Sequence, residues 1–304
     1  MDVNCLRILL GNSKKECDVA CCRITSFKVM AVAGALLAVG GMCSQWDKFF
    51  GPSSNVRFDL VGRANAAETD APSVSNEAFI DSDAIRLLRQ MGKYLGAARE
   101  FSFRADITFD EVLTNAQKIQ YGGIASIEVH RPNKFHVSYS GDERQTQVFY
   151  DGKTIIIFDP ERMLYTKTKV PPVIDAAIDK VFDQYGISVP IADLMYEDPY
   201  RILIENVETG FLGRRSLIGG RPTFHLAFTQ KEIDWQIWID DGPRPLPRKL
   251  LITYKNETGS PQYTAILSDW KFQPRLSDSF AEFHPPSGSD EIEFLKVTDL
   301  PARN

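Results

Sequence analysis

The stretch from residue 147 to residue 185 constrains the fold most, because it places three short strands directly before an amphipathic helix. Asp151-Gly152 predicts a two-residue hairpin turn of type I′, and Asp159-Pro160-Glu161-Arg162 predicts a second turn. Between these turns, the apolar and β-branched run 154–158 predicts a central strand that is buried on both faces. After two prolines, apolar residues recur at helical spacing and predict a helix with one broad apolar face: Val173, Ile174, Ala177, Ile178, Val181, Phe182 and Tyr185. Such a helix requires an apolar surface to pack against.

Two blocks of alternating sequence surround this stretch and predict strands with one buried face each. In the first block the predicted inward positions are Phe101, Phe103, Ala105, Ile107 and Phe109, then Ala125, Ile127 and Val129, then Phe135, Val137 and Tyr139. In the second block they are Phe224, Leu226 and Phe228, then Trp235, Ile237 and Ile239, then Leu250, Ile252 and Tyr254, with a further strand over 263–272. Turns lie between them at hairpin distances, which indicates an antiparallel meander rather than βαβ units.

Helical patterns are few outside the helix after the two prolines. A first helix is predicted to begin at Asp81-Ser82-Asp83 and to end near Gly96, with a buried side made of Ile85, Leu88, Met91 and Leu95. A short, partly apolar helix is predicted over 190–200, and a last short strand near Ile292 and Phe294. About ten or more strands with few helices predict a single α+β domain.

Composition limits the partners of this chain. Its 304 residues are 43% hydrophobic and 25% charged, an ordinary globular composition. The net charge of −5 argues against nucleic acid as a partner, because a phosphate-binding surface needs clustered Lys and Arg. All five cysteines lie in the first 43 residues, which excludes a cysteine nucleophile or a thiolate metal site from the rest of the chain.

The N-terminal segment has the pattern of an export signal. Arg23 and Lys28 precede the apolar run 29–42, which is shorter than the roughly 20 residues of a transmembrane helix. Ala64-Asn65-Ala66 matches a signal-peptidase site, so residues 1–66 are predicted to be a leader that is cleaved after Ala66. Retention of this segment as an N-terminal anchor is the alternative, and in both cases the rest lies outside the cytoplasm. Residues 67–80 then form a linker and residues 81–304 a single domain.

No arrangement of polar residues predicts catalysis, a metal site or a cofactor. Ser216 and Ser268 lie outside any G-x-S-x-G sequence, and Asp240-Asp241 before Gly242-Pro243 has the pattern of a turn rather than of an acid–base pair. The glycines at 210, 213, 219 and 220 have the pattern of hairpins rather than of a phosphate loop. The four histidines show no metal-ligand spacing: His130, His136, His225 and His284. The chain is therefore predicted not to be an enzyme.

Several turn-and-strand motifs resemble the periplasmic lipoprotein-carrier (LolA-like) superfamily. They are the opening helix, Asp151-Gly152-Lys153, Phe158-Asp159-Pro160-Glu161, the Trp235-x-x-Trp238-Ile239-Asp240 strand followed by Arg248-Lys249-Leu250, and Phe283-x-Pro285-Pro286-x-Gly288. Within that superfamily, the chain is most similar to an uncharacterised group of predicted periplasmic proteins, a domain of unknown function. The resemblance covers about residues 81–294.

The resemblance implies a strongly curved antiparallel half-barrel whose concave apolar face is covered by helices. In the carriers that hollow receives lipoprotein acyl chains, and an arginine inside it holds the lid. Arg104 and Arg131 are the candidates, but strand parity places Arg104 on the wet face, so the arginine is not assigned. The predicted ligand-binding residues of hollow and lid are Phe101, Phe103, Val137, Tyr139, Ile178, Phe182, Leu194, Phe224, Leu226, Phe228, Trp235 and Ile237.

Two functional interpretations of this apolar face remain open at the level of sequence. The face could line a cavity for a lipid, a lipoprotein or another hydrophobic molecule, as expected of a periplasmic binding protein or carrier. Alternatively, the domain is an interaction or sensory module whose lid fills the hollow, since a fold does not fix function. A protein of the inner or outer membrane is a candidate partner in both cases.

Overall fold

Thirteen β-strands form one open sheet in the computed structural model, which describes residues 79–187 and 189–294. The first six are β1 (Glu100–Val112), β2 (Lys118–His130), β3 (Lys134–Gly141), β4 (Gln145–Tyr150), β5 (Thr154–Asp159) and β6 (Leu164–Lys169). The others are β7 (Thr209–Leu212), β8 (Ser216–Ile218), β9 (Arg221–Thr229), β10 (Asp234–Asp240), β11 (Pro247–Thr253), β12 (Gln262–Phe272) and β13 (Asp290–Glu291). Their order is β13-β6-β5-β4-β3-β2-β1-β12-β11-β10-β9-β7, with β8 paired to β9. The two sequence blocks therefore join where β1 pairs with β12.

The strand register places apolar side chains on one face of the sheet. One row of paired residues crosses five strands and consists of Phe103, Ile127, Val137, Val148 and Ile157. Because successive side chains of a strand point to opposite faces, the residues two positions away continue the same apolar face. The sheet is strongly curved and this face is concave, so the predicted α+β half-barrel is confirmed. Neighbouring strands are antiparallel throughout, except that β13 runs parallel to β6.

Four helical segments, here called the cover, pack on the concave face. They are α1 (Ser82–Gly96), α2 (Ile174–Tyr185), a 3₁₀ segment (Pro190–Met195) and α3 (Pro199–Ile204). Asp81 caps α1 by accepting a hydrogen bond from the backbone N–H of Asp83, as its side-chain oxygen predicts. Gly186 ends α2 in the left-handed conformation at φ 65°, which glycine adopts without a steric penalty. Buried residues of the cover and of the strands form one continuous apolar core.

Local details differ from the sequence predictions at several places. The turn at Asp151-Gly152 has a positive φ at its first corner, Gly152, and not at its second, which is the pattern of type II′ rather than type I′. The predicted helix over 190–200 is two elements, the 3₁₀ segment and α3, because Pro199 begins a new helix at its first position. Val173 precedes α2 and is 38% exposed, so it does not belong to the buried helix face.

Two further predictions concern the C-terminal strand and the N-terminal leader and linker. The predicted last short strand near Ile292 and Phe294 is β13 at 290–291, and the backbone N–H of Ile292 extends its pairing with β6 by donating to Tyr165. The predicted leader over 1–66 and the linker as far as residue 78 lie outside the described residues, so both stay predictions. Among the helices of residues 79–187 and 189–294, none combines the length and the apolar character needed to cross a membrane.

Candidate functional site

The concave face gathers most of the residues that the sequence proposed as ligand-binding. Seven of them are only 0–3% exposed and belong to the continuous core: Phe101, Phe103, Leu194, Leu226, Phe228, Trp235 and Ile237. Phe228 and Trp235 stack with ring centroids 4.4 Å apart, and Phe103 stacks on Trp270 at the same separation. The face thus presents a large aromatic and aliphatic surface, which the protein's own side chains bury against each other.

Burial of the concave face decreases along the strands. At one end, the paired row of Phe101, Val129, Phe135, Tyr150 and Ile155 is only 0–5% exposed. At the opposite end, the pair Phe109 and Tyr121 is partly exposed. We call the first row the covered end, and the region of Phe109, Tyr121 and Tyr139 the half-covered end. The cover therefore protects one end of the hollow more completely than the other.

Five predicted site residues lie in intermediate surroundings. Val137, Tyr139, Ile178 and Phe224 are partly buried and pack against the core. The ring of Tyr139 lies against the backbone of Gly123 and Gly141, where an added Cβ would collide with it. Phe182 is half-buried and does not belong to the apolar core of the described residues, so α2 turns Ile174, Ala177 and Val181 inward instead.

Arg131 ties the cover to the covered end. It directly follows β2, is 7% exposed, and its guanidinium lies 4.8 Å from the ring centroid of Phe101. Its five N–H groups donate to five backbone carbonyls at 2.6–3.4 Å, namely those of Leu95, Ala98, Leu194, Met195 and Tyr196. The end of α1 and the end of the 3₁₀ segment are thereby joined through one side chain.

Of the two arginines that sequence analysis considered inside the hollow, the structure places Arg131, and not Arg104, against the cover. Arg104, the other candidate, has its side chain 41% exposed and pairs with Asp106, as strand parity predicted. Arg131 directly follows the last residue of β2, where the alternation of strand side chains no longer predicts which face a residue occupies. Burial lowers the pKa of Arg131 to about 10, and the nearby carboxylates of Asp175 and Glu197 oppose this shift. The side chain is therefore charged at neutral pH and is solvated by carbonyl dipoles rather than by a buried ion pair.

Further polar contacts connect the parts of the cover with each other. The hydroxyl of Tyr196 donates to Asp179 of α2 at 2.8 Å, and Asp175 accepts from the backbone N–H of Glu197 at 3.1 Å. The crossing of α1 and α3 depends on Gly92, since an added Cβ would lie 2.6 Å from the Cβ of Tyr200. These contacts explain how short helical segments stay ordered over an apolar sheet.

Polar side chains on the opposite face of the sheet form structural pairs. Asp240 binds Arg248 through two hydrogen bonds, with both side chains at most 14% exposed, so this last residue of β10 is an ion-pair partner at the start of the predicted turn. His136 lies 3.3 Å from Glu128 on the neighbouring strand, a cross-strand pair that linear spacing did not reveal. Within residues 79–187 and 189–294, no group of three or more His, Cys, Asp or Glu residues has a metal-binding arrangement.

Comparison with known families identifies the group to which this sequence belongs. The family described as "Predicted periplasmic protein (DUF2092)" matches residues 84–295. The chain is a member of this DUF2092 family. The predicted kinship with an uncharacterised periplasmic group is therefore confirmed. No curated protein matches the chain.

Several solved structures resemble this DUF2092 protein at low sequence identity. An uncharacterised conserved protein from Thermus thermophilus is 9% identical, with a TM-score of 0.42 over 69% of this chain and 99% of that one. LprF from Mycobacterium bovis is 13% identical, with a TM-score of 0.39 over 70% and 100%. A LolA superfamily protein from Nitrosomonas europaea is 11% identical, with a TM-score of 0.35 over 66% and 97%. Similarity at this level does not indicate a shared function.

Proposed function

We propose that this DUF2092 protein is a non-enzymatic periplasmic binding protein or carrier, which holds a lipid, a lipoprotein acyl chain or another hydrophobic molecule on its concave face. The observation that carries the proposal is the combination of an extensive apolar face with a cover that polar contacts hold at one end. Arg131 supplies five of those contacts.

Binding would be driven by the apolar area that a ligand removes from water. At about 25 cal/mol per Å² of buried apolar surface, an acyl chain that buries about 300 Å² gains about 7.5 kcal/mol before the cost of ordering. The ligand would have to displace the inner side chains of the cover, including Leu194 of the 3₁₀ segment. Opening of the cover therefore controls access, as lids do in other proteins.

Native mass spectrometry of the full chain, purified from the soluble fraction of bacterial cells, tests the proposal. We expect additional mass that disappears after delipidation and returns on addition of lipid extract. A protein that shows a single bare mass under both conditions, and that takes up no lipid, would contradict a carrier function.

The alternative from the sequence, an interaction module with a self-filled hollow, also has an observation in its favour. Leu226, Trp235 and Ile237 are fully buried by protein atoms, so this part of the face is filled in the closed form. In that case, the partner would be a membrane protein recovered by cross-linking in intact cells. The same mass measurement separates the two functions, because the module binds no lipid.

A further inference from the structure

Three hydrogen-bond donors lie buried on the concave face without a partner. They are the indole Nε1 of Trp235 and the hydroxyls of Tyr254 and Tyr263, on residues that are 0%, 3% and 6% exposed. None of them has a hydrogen-bond partner among residues 79–187 and 189–294. We call these three groups the inner donor cluster. Buried polar groups of proteins almost always have a partner, so three neighbouring exceptions need an explanation.

The sheet register brings the three residues together. Trp235 of β10 and Tyr263 of β12 both pair with Ile252 of β11, from its two sides. Tyr254 is the next inward residue after Ile252, and its backbone N–H continues the ladder by donating to Pro261. It is therefore a diagonal neighbour of both other residues, at a typical Cα separation of about 7–8 Å. The three side chains therefore occupy adjacent inward positions on the same face of the sheet.

An apolar core of the same shape would not need these polar groups. A buried donor without a partner costs about 1–3 kcal/mol, and phenylalanine in place of tyrosine would avoid that cost. Tyr150, at the covered end, shows the ordinary solution, because its hydroxyl donates to the carbonyl of Pro171 at 2.6 Å. The inner donor cluster therefore has the composition of a site for a hydrogen-bond acceptor that is not part of the core.

The surrounding charges determine which acceptor fits. The acidic groups that act on Tyr254 are Glu257 and Asp193. Burial and the charge of nearby Asp179 raise the pKa of Asp193 to about 8, so Glu257 is the charged one of the two at pH 7. The groups that act on Tyr263 are the hydroxyls of Tyr254 and Tyr139. The negative charge of Glu257 repels a carboxylate or a phosphate but leaves a neutral oxygen acceptor unaffected. A carbonyl oxygen has the required lone pairs without a charge.

The location of the cluster fits a molecule with an apolar tail. Tyr263 pairs on its other side with Phe109, which belongs to the half-covered end. Trp235, by contrast, pairs on its other side with Phe228, and both of these residues are buried in the core. A ligand whose polar group binds at the cluster can thus extend an acyl chain along the apolar face in either direction.

We propose that the inner donor cluster binds the carbonyl oxygen of a neutral acyl ester or amide. This inference rests on the proposed lipid-binding function and narrows its ligand to an acylated molecule. The ester of an acylglycerol and the amide of an N-acylated lipoprotein share this chemistry.

Displacement of the fluorescent probe N-phenyl-1-naphthylamine from the full chain tests the ligand class. The competitors are monoolein as the ester, N-oleoylethanolamine as the amide, oleate as the carboxylate, and 1-octadecene without a polar group. We expect the ester or the amide to bind about tenfold more tightly than 1-octadecene, the effect of about one net hydrogen bond. Oleate should bind more weakly than monoolein at pH 7. The tighter of ester and amide identifies the source of the carbonyl.

Removal of the two hydroxyls tests the residues. The variant Tyr254→Phe/Tyr263→Phe should bind monoolein as weakly as 1-octadecene, with its affinity for 1-octadecene unchanged. The control Tyr150→Phe, which removes a hydroxyl that already has a partner, should keep the wild-type preference. Wild-type protein that binds monoolein and 1-octadecene equally, or a double variant that keeps the preference, overturns the inference, and water is then the partner of the donors. A chain that binds neither the probe nor any competitor contradicts the proposed function itself.

Discussion

The covered end and the inner donor cluster treat buried polar groups in opposite ways. At the covered end, all five N–H groups of Arg131 find carbonyl acceptors, although the side chain is only 7% exposed. In the inner donor cluster, three donors of similar burial have no partner among the described residues. The same fold can therefore provide acceptors for all the donors of a buried side chain. The first site holds the cover on the sheet, whereas we propose that the second site accepts a ligand.

Replacement of Arg131 should have the largest effect on the covered end. Arg131→Met removes five hydrogen bonds and leaves buried carbonyls without donors, so we expect a loss of at least about 3 kcal/mol in the free energy of unfolding. Arg104→Met is the matched control, since its exposed ion pair with Asp106 should contribute only about 0–1 kcal/mol. Urea unfolding followed by circular dichroism measures both. Equal losses in the two variants would contradict the role assigned to Arg131.

The helix crossing of the cover is the next most sensitive feature. Gly92→Ala places a Cβ 2.6 Å from that of Tyr200, so α1 and α3 must separate, at a cost of about 1–3 kcal/mol. Gly242→Ala is the control, because nothing lies within 4 Å of its added Cβ. Thermal unfolding should show a lower Tm for Gly92→Ala alone. An unchanged Tm would mean that the two helices do not pack as closely as described.

A pH-dependent effect is expected at Asp193, in the 3₁₀ segment above Tyr254. Burial, aided by the charge of Asp179, raises the pKa of its carboxyl from 3.8 to about 8. The unfolded chain holds this proton less tightly, so the contribution of Asp193 to stability is complete below pH 3.8 and is lost as the pH rises towards 8. The other titratable groups facing this region are Asp179 of α2, Tyr196, which directly follows the 3₁₀ segment, and Tyr254, which directly follows β11.

Asp193→Asn removes this ionisation and should stabilise the protein at pH 8.5 relative to wild type. We expect at least about 1 kcal/mol, which corresponds to about 2–4 °C in Tm, and a smaller difference at pH 5. Asp278→Asn changes an exposed carboxylate and should show no such trend. A gain that is the same at both pH values would show that Asp193 is not desolvated.

The smallest expected change in the free energy of unfolding comes from replacing a buried tyrosine in each of the two regions. Tyr150→Phe should cost about 1 kcal/mol, because the carbonyl of Pro171 loses its donor. Tyr263→Phe should be neutral or slightly stabilising without ligand, since no protein partner is lost. Chemical denaturation at one pH measures both variants. A larger loss for Tyr263→Phe would show that its hydroxyl already has a strong partner.

The sheet was predictable because its signal is local. Alternation over Phe101, Phe103, Ala105 and Ile107 is a property of consecutive residues, and all four are buried as expected. The start of α1 was equally predictable, because the capping oxygen of Asp81 accepts a hydrogen bond from an N–H only two residues away. The 3₁₀ segment was not distinguished from a helix, since the apolar spacing of a single turn is similar in both.

The polar features of the site were harder to predict from the sequence. Arg131 binds carbonyls that lie 33–65 residues away in the chain, and a backbone carbonyl has no residue-specific signature. Tyr254 and Tyr263 alternate with polar residues like any core position, so the sequence marks them as buried but not as lacking a partner. Such properties depend on the three-dimensional neighbourhood, which only the register of the strands determines.

Quenching of tryptophan fluorescence by a brominated ligand tests the central claim, that an acyl chain binds on the concave face. Trp235 and Trp238 lie on opposite faces of β10, the first in the core and the second between His225 and Lys249. Two single-tryptophan proteins, each retaining one of these residues, are titrated with dibromostearoyl glycerol. The account predicts strong quenching of Trp235 and little of Trp238, because bromine quenches only at close range. Equal quenching of both residues, or quenching of Trp238 alone, would contradict it.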